Sequence, residues 1–145
     1  MAVQTSAGTT IGISAGLPAT DDAAGYGALT FTPIGEVTDL GEYGKVFNLV
    51  THNPIATRRT EKFKGSFNEG SISMGIGEDT SDAGQILLDT AVESDANFSF
   101  EITAQDGDID YFQAKVMSKT VNVGSVDSIR SSTVQLEITS GIVDA

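Results

Sequence analysis

Two hydrophobic periods run along this chain, and the stretch from Gly65 to Ala91 contains both. Ile72, Met74 and Ile76 alternate with Ser71, Ser73 and Gly75, the period of two expected of a strand with one buried face. Turn formers and acids from Gly77 to Ser81 end that alternation. From Asp82 the period lengthens, and Ala83, Ile86, Leu87, Thr90 and Ala91 fall on one helical face. Thr80 or Ser81 is placed to cap the first turn, and Asp79 and Asp82 sit where the helix dipole favours negative charge. Gly84 lowers the intrinsic propensity, so packing must hold this helix. One helix in a strand-rich chain reads as a wedge against a sheet or a seal over its open edge.

The other patterns are those of strands. Residues 1–27 are mostly small, with five glycines and a short strand pattern at Thr9–Ser14; they read as an N-terminal arm, mobile or ordered against a partner. Ala28–Leu40 carries Leu29, Phe31 and Val37, with Pro33 limiting pairing. Residues 41–62 read as a long loop in which Val46–Val50 is the only patterned part. A loop of roughly 20 residues in a compact domain is usually functional or disordered. Thr60–Phe67 resumes a strand through Phe63 and Phe67. After the helix, Phe98, Phe100, Ile102 and Ala104 share a face, and Asp106-Gly107 signals a hairpin turn. The returning strand, about Asp110 to Val123, places Phe112, Ala114 and Val116 on one face. Lys115, Met117, Lys119, Val121 and Val123 lie on the other, so the second face also needs cover, from a neighbour. Thr133–Thr139 closes the chain with Val134, Leu136 and Ile138 inward. About seven strands and one helix predict a single domain over residues 1–145: mainly β, an antiparallel β-sandwich or barrel with a flanking helix.

Composition narrows the function. Hydrophobic residues make up 39% of the 145, enough for a real core. No apolar run is long enough to span a membrane, and the first residues lack a signal-peptide pattern. The absence of cysteine removes disulfides, zinc–thiolate sites and thiol nucleophiles. A net charge of −12 argues against ordinary nucleic-acid binding, which needs Lys and Arg to neutralise phosphates. The charge is uneven. Lys45, Arg58, Arg59, Lys62 and Lys64 cluster between Gly35 and Lys64 beside four acids, whereas the remainder has three bases and sixteen acids. That predicts a basic patch placed to meet an acidic surface on a neighbouring copy.

Three strings invite a catalytic reading and fall short of it. Gly12-Ile13-Ser14-Ala15-Gly16 matches a nucleophile elbow, but Pro18 and small residues follow where a helix is needed, and His52 is the sole histidine. Asp106-x-Asp108-x-Asp110 opens like a calcium loop, yet the sixth position is Tyr111 and the twelfth Met117. Gly75-x-Gly77 lacks the last glycine of a dinucleotide fingerprint, and Glu78 and Asp79 would repel phosphate. With no second His or Cys beside it, His52 reads as a turn or interface residue rather than a metal ligand. No catalytic residue, cofactor or metal is expected, and the chain is read as non-enzymatic.

Three blocks, GEVTDLGEYGKVFNLVTHNP (35–54), the 65–91 stretch and YFQAKVMSKTVNVGSVDSI (111–129), resemble in order and spacing the tail tube, or major tail, proteins of long non-contractile-tailed bacteriophages. The resemblance spans about Gly35 to Ile138. It implies the phage tail-tube fold, a two-sheet β-sandwich with one helix on its flank. It also implies a structural virion protein whose hexameric rings stack into a tube for DNA ejection, placed in the virion tail and in the host cytoplasm during assembly. The implied partners are further copies of the chain and the tape measure, tail-tip and tail-terminator proteins, with genome DNA passing the lumen without specific binding and no membrane involved. Lys45, His52, Arg58, Arg59, Lys62 and Lys64 are the expected subunit-interface residues, in a loop probing a neighbour. The tube of a contractile tail or type VI secretion-like system is the nearest alternative. A non-assembling β-sandwich binding module is a further one, disfavoured by the lack of Trp and the presence of only three Tyr.

Overall fold

Ile11 and Ile13, Ile72 to Ile76, Phe98 to Ile102, Phe112 to Val116 and Val134 to Ile138 supply the alternating apolar positions of five strands, and these side chains meet in one buried core. The computed structural model describes residues 3–145. In chain order the elements are β1 (Thr10–Ser14), α1 (Ala23–Gly27), β2 (Thr32–Pro33), β3 (Val37–Asp39), β4 (Val46–His52), β5 (Glu61–Asn68), β6 (Ser71–Gly77), α2 (Ala83–Val92), β7 (Phe98–Thr103), β8 (Ile109–Asn122), β9 (Ser131–Ile138) and β10 (Val143–Asp144). Eight strands form one antiparallel sheet in the order β2-β1-β7-β8-β9-β6-β3, with β10 paired to the start of β8; β4 and β5 form a second sheet of two. The mainly β class with a flanking helix is therefore the observed one, with a second, five-residue helix besides α2.

This sheet must curl. β2 and β3 stand at its opposite edges, yet only residues 34–36 separate them along the chain. Four Cα steps reach at most about 14 Å. Seven flat strands about 4.8 Å apart would put those edges about 29 Å from each other. The bridge is bonded to both sides: Ile34 N–H donates to the Ile11 carbonyl (2.9 Å), and Gly77 N–H to the Glu36 carbonyl (2.8 Å). Helix α2 seals this seam. Its buried Gln85 donates to the carbonyls of Gly35 (3.2 Å) and Gly77 (2.8 Å) and accepts from Asp79 N–H (3.0 Å). Gly84 lies so close to the bridge that a Cβ would come within 2.3 Å of the Pro33 carbonyl oxygen. The expected role as a seal is thus the observed one.

Several local expectations are corrected. The helix is capped by Asp82, whose carboxylate accepts from Gln85 N–H (3.0 Å), rather than by Thr80 or Ser81. Its buried face is Gly84, Gln85, Leu88 and Ala91; Ile86 is exposed and Leu87 half-buried. The small N-terminal segment is no free arm: β1 lies inside the sheet between β2 and β7. Residues 16–31 cover the opposite face of β7 and β8. Tyr26 is buried and stacks on Tyr111 at 5.2 Å, and Ser99 Oγ donates to the Gly16 carbonyl (2.7 Å). Most of the small residues here stay exposed; Gly25 is the buried one, and a Cβ on it would come within 2.0 Å of the Thr20 carbonyl oxygen. On β8, a bulge between Val116 and Ser118 shifts the alternation. Lys119 therefore faces inward opposite Val134, where its ammonium pairs with Glu78 (3.5 Å) and Asp89 (2.7 Å).

Candidate functional site

The stretch read as a loop over 41–62 is in fact mostly a projecting β-hairpin. β4 and β5 pair from Val46–Asn68 to His52–Glu61 and pair with no other strand. Val46, Phe47, Val50 and Thr51 on β4 and Phe63 and Phe67 on β5, with the turn residues Asn53-Pro54 between them, make the hairpin locally favourable. It was illegible as such because neither face is buried, so no in–out alternation marks it. The hairpin joins the main sheet at the Ser71 end of β6 through Glu69 and Gly70, the latter at φ +100°, a conformation open chiefly to glycine. Its root is tethered by Gly44 N–H to the Glu69 carbonyl (3.3 Å) and by the Tyr43 hydroxyl, which donates to the Asp110 carboxylate. Burial, then Asp110 itself, pushes the Tyr43 phenol well above its ordinary pKa.

All six sequence-derived interface residues lie on this one element. Lys45 is at its root, His52 ends β4, Lys62 and Lys64 lie on β5, and Arg58 and Arg59 occupy the 53–60 tip. Arg58 adopts φ +58°, and its N–H donates to the Pro54 carbonyl (3.3 Å), which closes the tip. The register and its irregularity between Phe47 and Leu49 set Lys45, Phe47, Leu49, Lys62, Lys64 and Phe67 on one face. Lys45 Nζ lies 4.9 Å from the centre of the Phe67 ring and Lys64 Nζ 4.8 Å from that of Phe47, so the cations rest on the aromatic surface. The other face carries Val46, Val50, His52 and Phe63. Among the described residues the ion pairs are those of Lys119; none of the hairpin cations has a carboxylate within ion-pair reach.

Charge patterning thus located the element but missed its apolar half. Val46, Phe47, Leu49, Val50, Ile55, Phe63 and Phe67 are all exposed, Ile55 at 97%. The run Val46–Val50 was the available signal. Ser14, the centre of the nucleophile-like string, lies in β1, and its Oγ accepts from Gly16 N–H (3.2 Å). Asp106, Asp108 and Asp110 gather at the β7–β8 turn with Asp144. The Asp108 carboxyl is pushed up by desolvation and then by the neighbouring charges of Asp106, Asp144 and Asp110.

No protein-family profile and no curated protein sequence matches the chain. Solved structures do. A chain of the anti-feeding prophage baseplate superposes with a TM-score of 0.71 at 10% identity, covering 100% of this chain and 97% of that one. The SPP1 tail tube gives 0.65 at 14% identity, covering 94% and 75%. A chain from the sheath/tube terminator of an extracellular contractile injection system (PVC) gives 0.64 at 9% identity, covering 100% and 98%. The chain has the tail-tube fold shared by these assemblies.

Proposed function

We propose that this chain is a structural tube subunit: copies join head to tail into rings, and rings stack into the tube of a tail. The observation that carries this is the β4–β5 hairpin. An isolated two-stranded hairpin is marginal in water, and long free edges are templates for pairing with another chain. This one leaves seven large apolar side chains 41–97% exposed in a single copy. Fully burying one such side chain contributes ~1.5–3 kcal/mol, whereas association costs about 4–15 kcal/mol in lost freedom. A single contact would not suffice; a whole apolar hairpin does. The fold likeness to the SPP1 tail tube supports the same role.

On this reading the protein acts without catalysis, resides in the virion tail, and meets tail-tip, tape measure and terminator proteins at the tube's ends and lumen. Six copies per ring and passage of DNA belong to the same proposal. A contractile system is the second reading, favoured by the end-to-end match with the chain from the extracellular contractile injection system (98% of its length) against 75% for the SPP1 tail tube. Sedimentation velocity over rising concentration tests self-association. Ring-sized species are expected, and a monomer at every concentration would contradict it.

A further inference from the structure

Among the described residues, apart from Val3, Leu17 and Ile86, the exposed large apolar side chains fall into two groups. One is the hairpin. The other is Met117, Val121 and Val123 on the distal part of β8 and just beyond it, with Val126 (97% exposed) and Ile129 in the loop before β9. The two groups sit at opposite ends of β6. The hairpin leaves β6 at Ser71, while the loop meets its other end, where Gly77 is paired with Ser131 and Glu78 N–H donates to the Arg130 carbonyl (2.9 Å). Seven strand residues separate those ends by about 20 Å. Strand pairing along the distal part of β8 is one-sided: β7 pairs with it only as far as Ala114, Lys115 to Asn122 have β9 as their single strand partner, and helix α2 packs against β8, with its Asp89 on Lys119.

We propose that the β4–β5 hairpin of one copy docks on the distal β8 and 123–130 surface of a second copy. The inference rests on the self-assembly reading above and names the surface that completes it. Charge agrees with it. From Lys45 to Lys64 the hairpin carries five bases against Glu61, while the receiving end carries Glu78, Asp79, Asp82, Asp89 and Asp127 against Lys115, Lys119 and Arg130. Two different patches on one chain make a head-to-tail contact, which closes into a ring or continues as a filament. Such a contact covers both apolar groups at once, which pairing hairpin to hairpin would not do.

The chain has no cysteine, so single-cysteine variants report contacts cleanly. Val50→Cys or Phe63→Cys is mixed with Val121→Cys or Val126→Cys, oxidised, and run on a non-reducing gel beside each variant alone. All four sites are exposed, so the fold should tolerate them. At least one mixture is expected to give a heterodimer band tenfold or more above the homodimer band of either variant alone. Val126→Asp should keep the wild-type melting temperature and lose both the cross-link and assembly. If rings form by sedimentation while no mixture gives heterodimer, or while Val126→Asp assembles normally, the docking surface is wrong and the assembly reading stands. If neither cross-links nor assemblies form at any concentration, both are overturned.

Discussion

Gly84 and Gln85 carry more of the structure than their hydrophobicity suggests. Alanine is a better helix former than glycine by ~1 kcal/mol, yet a Cβ at 84 would collide with the Pro33 carbonyl. Gly84→Ala is expected to lower stability in urea unfolding by ~1–3 kcal/mol, the usual cost of overpacking. Leu88, fully buried, should lose ~2–5 kcal/mol on truncation to Ala, and half-buried Leu87 clearly less. The helical period pointed to Ile86 and Leu87, because an apolar count cannot register a glycine needed for close approach or a glutamine needed for three hydrogen bonds. Asp108 gives a pH test. A carboxyl raised in the folded state contributes stability below its unfolded pKa that is lost as pH rises through the folded pKa. Asp108→Asn should therefore raise the melting temperature at pH 7 and match the wild type near pH 3, where both side chains are neutral. An equal shift at both pH values would exclude this electrostatic origin.

At the scale of elements, strands with one buried face were legible. The runs Phe98–Ile102, Phe112–Val116 and Val134–Ile138 alternate in the sequence as they do in the core. β4 was not legible, since a strand exposed on both faces shows no alternation until its partner is known. The same exposure makes the hairpin the least protected element of an isolated copy. Amides of Val46–His52 and Glu61–Asn68 should exchange with solvent far faster than those of β6 and β9, and should become protected on assembly. Unchanged exchange in the assembled state would place the hairpin outside the contacts. Reversing Arg58 and Arg59 to Glu touches a tip with no ion pair to lose. The melting temperature should stay nearly constant, because exposed pairs contribute about 0–1 kcal/mol, while electron microscopy should show assembly slowed or blocked. Normal assembly by this variant would make the tip charges a merely solvated surface.

For the whole molecule, the decisive long-range fact is that three residues join opposite edges of the sheet, curling it around one core and leaving the hairpin outside. No local pattern encodes that closure; it follows from the pairing of β1 with β7 and of β6 with β9, strands distant in sequence. Net charge was legible from the start, and its consequence is plain at this scale. Sixteen of the twenty acids lie outside the 35–64 segment with only three bases, so duplex DNA should not bind measurably at moderate salt. Micromolar affinity in a mobility assay would mean that the hairpin cations face nucleic acid rather than a second copy. The central claim, that this fold exists to assemble with itself, is tested most directly by negative-stain electron microscopy of the purified protein across a concentration series. The account predicts six-fold rings with a central channel that stack into tubes as concentration rises. Uniform single copies at every concentration would contradict it.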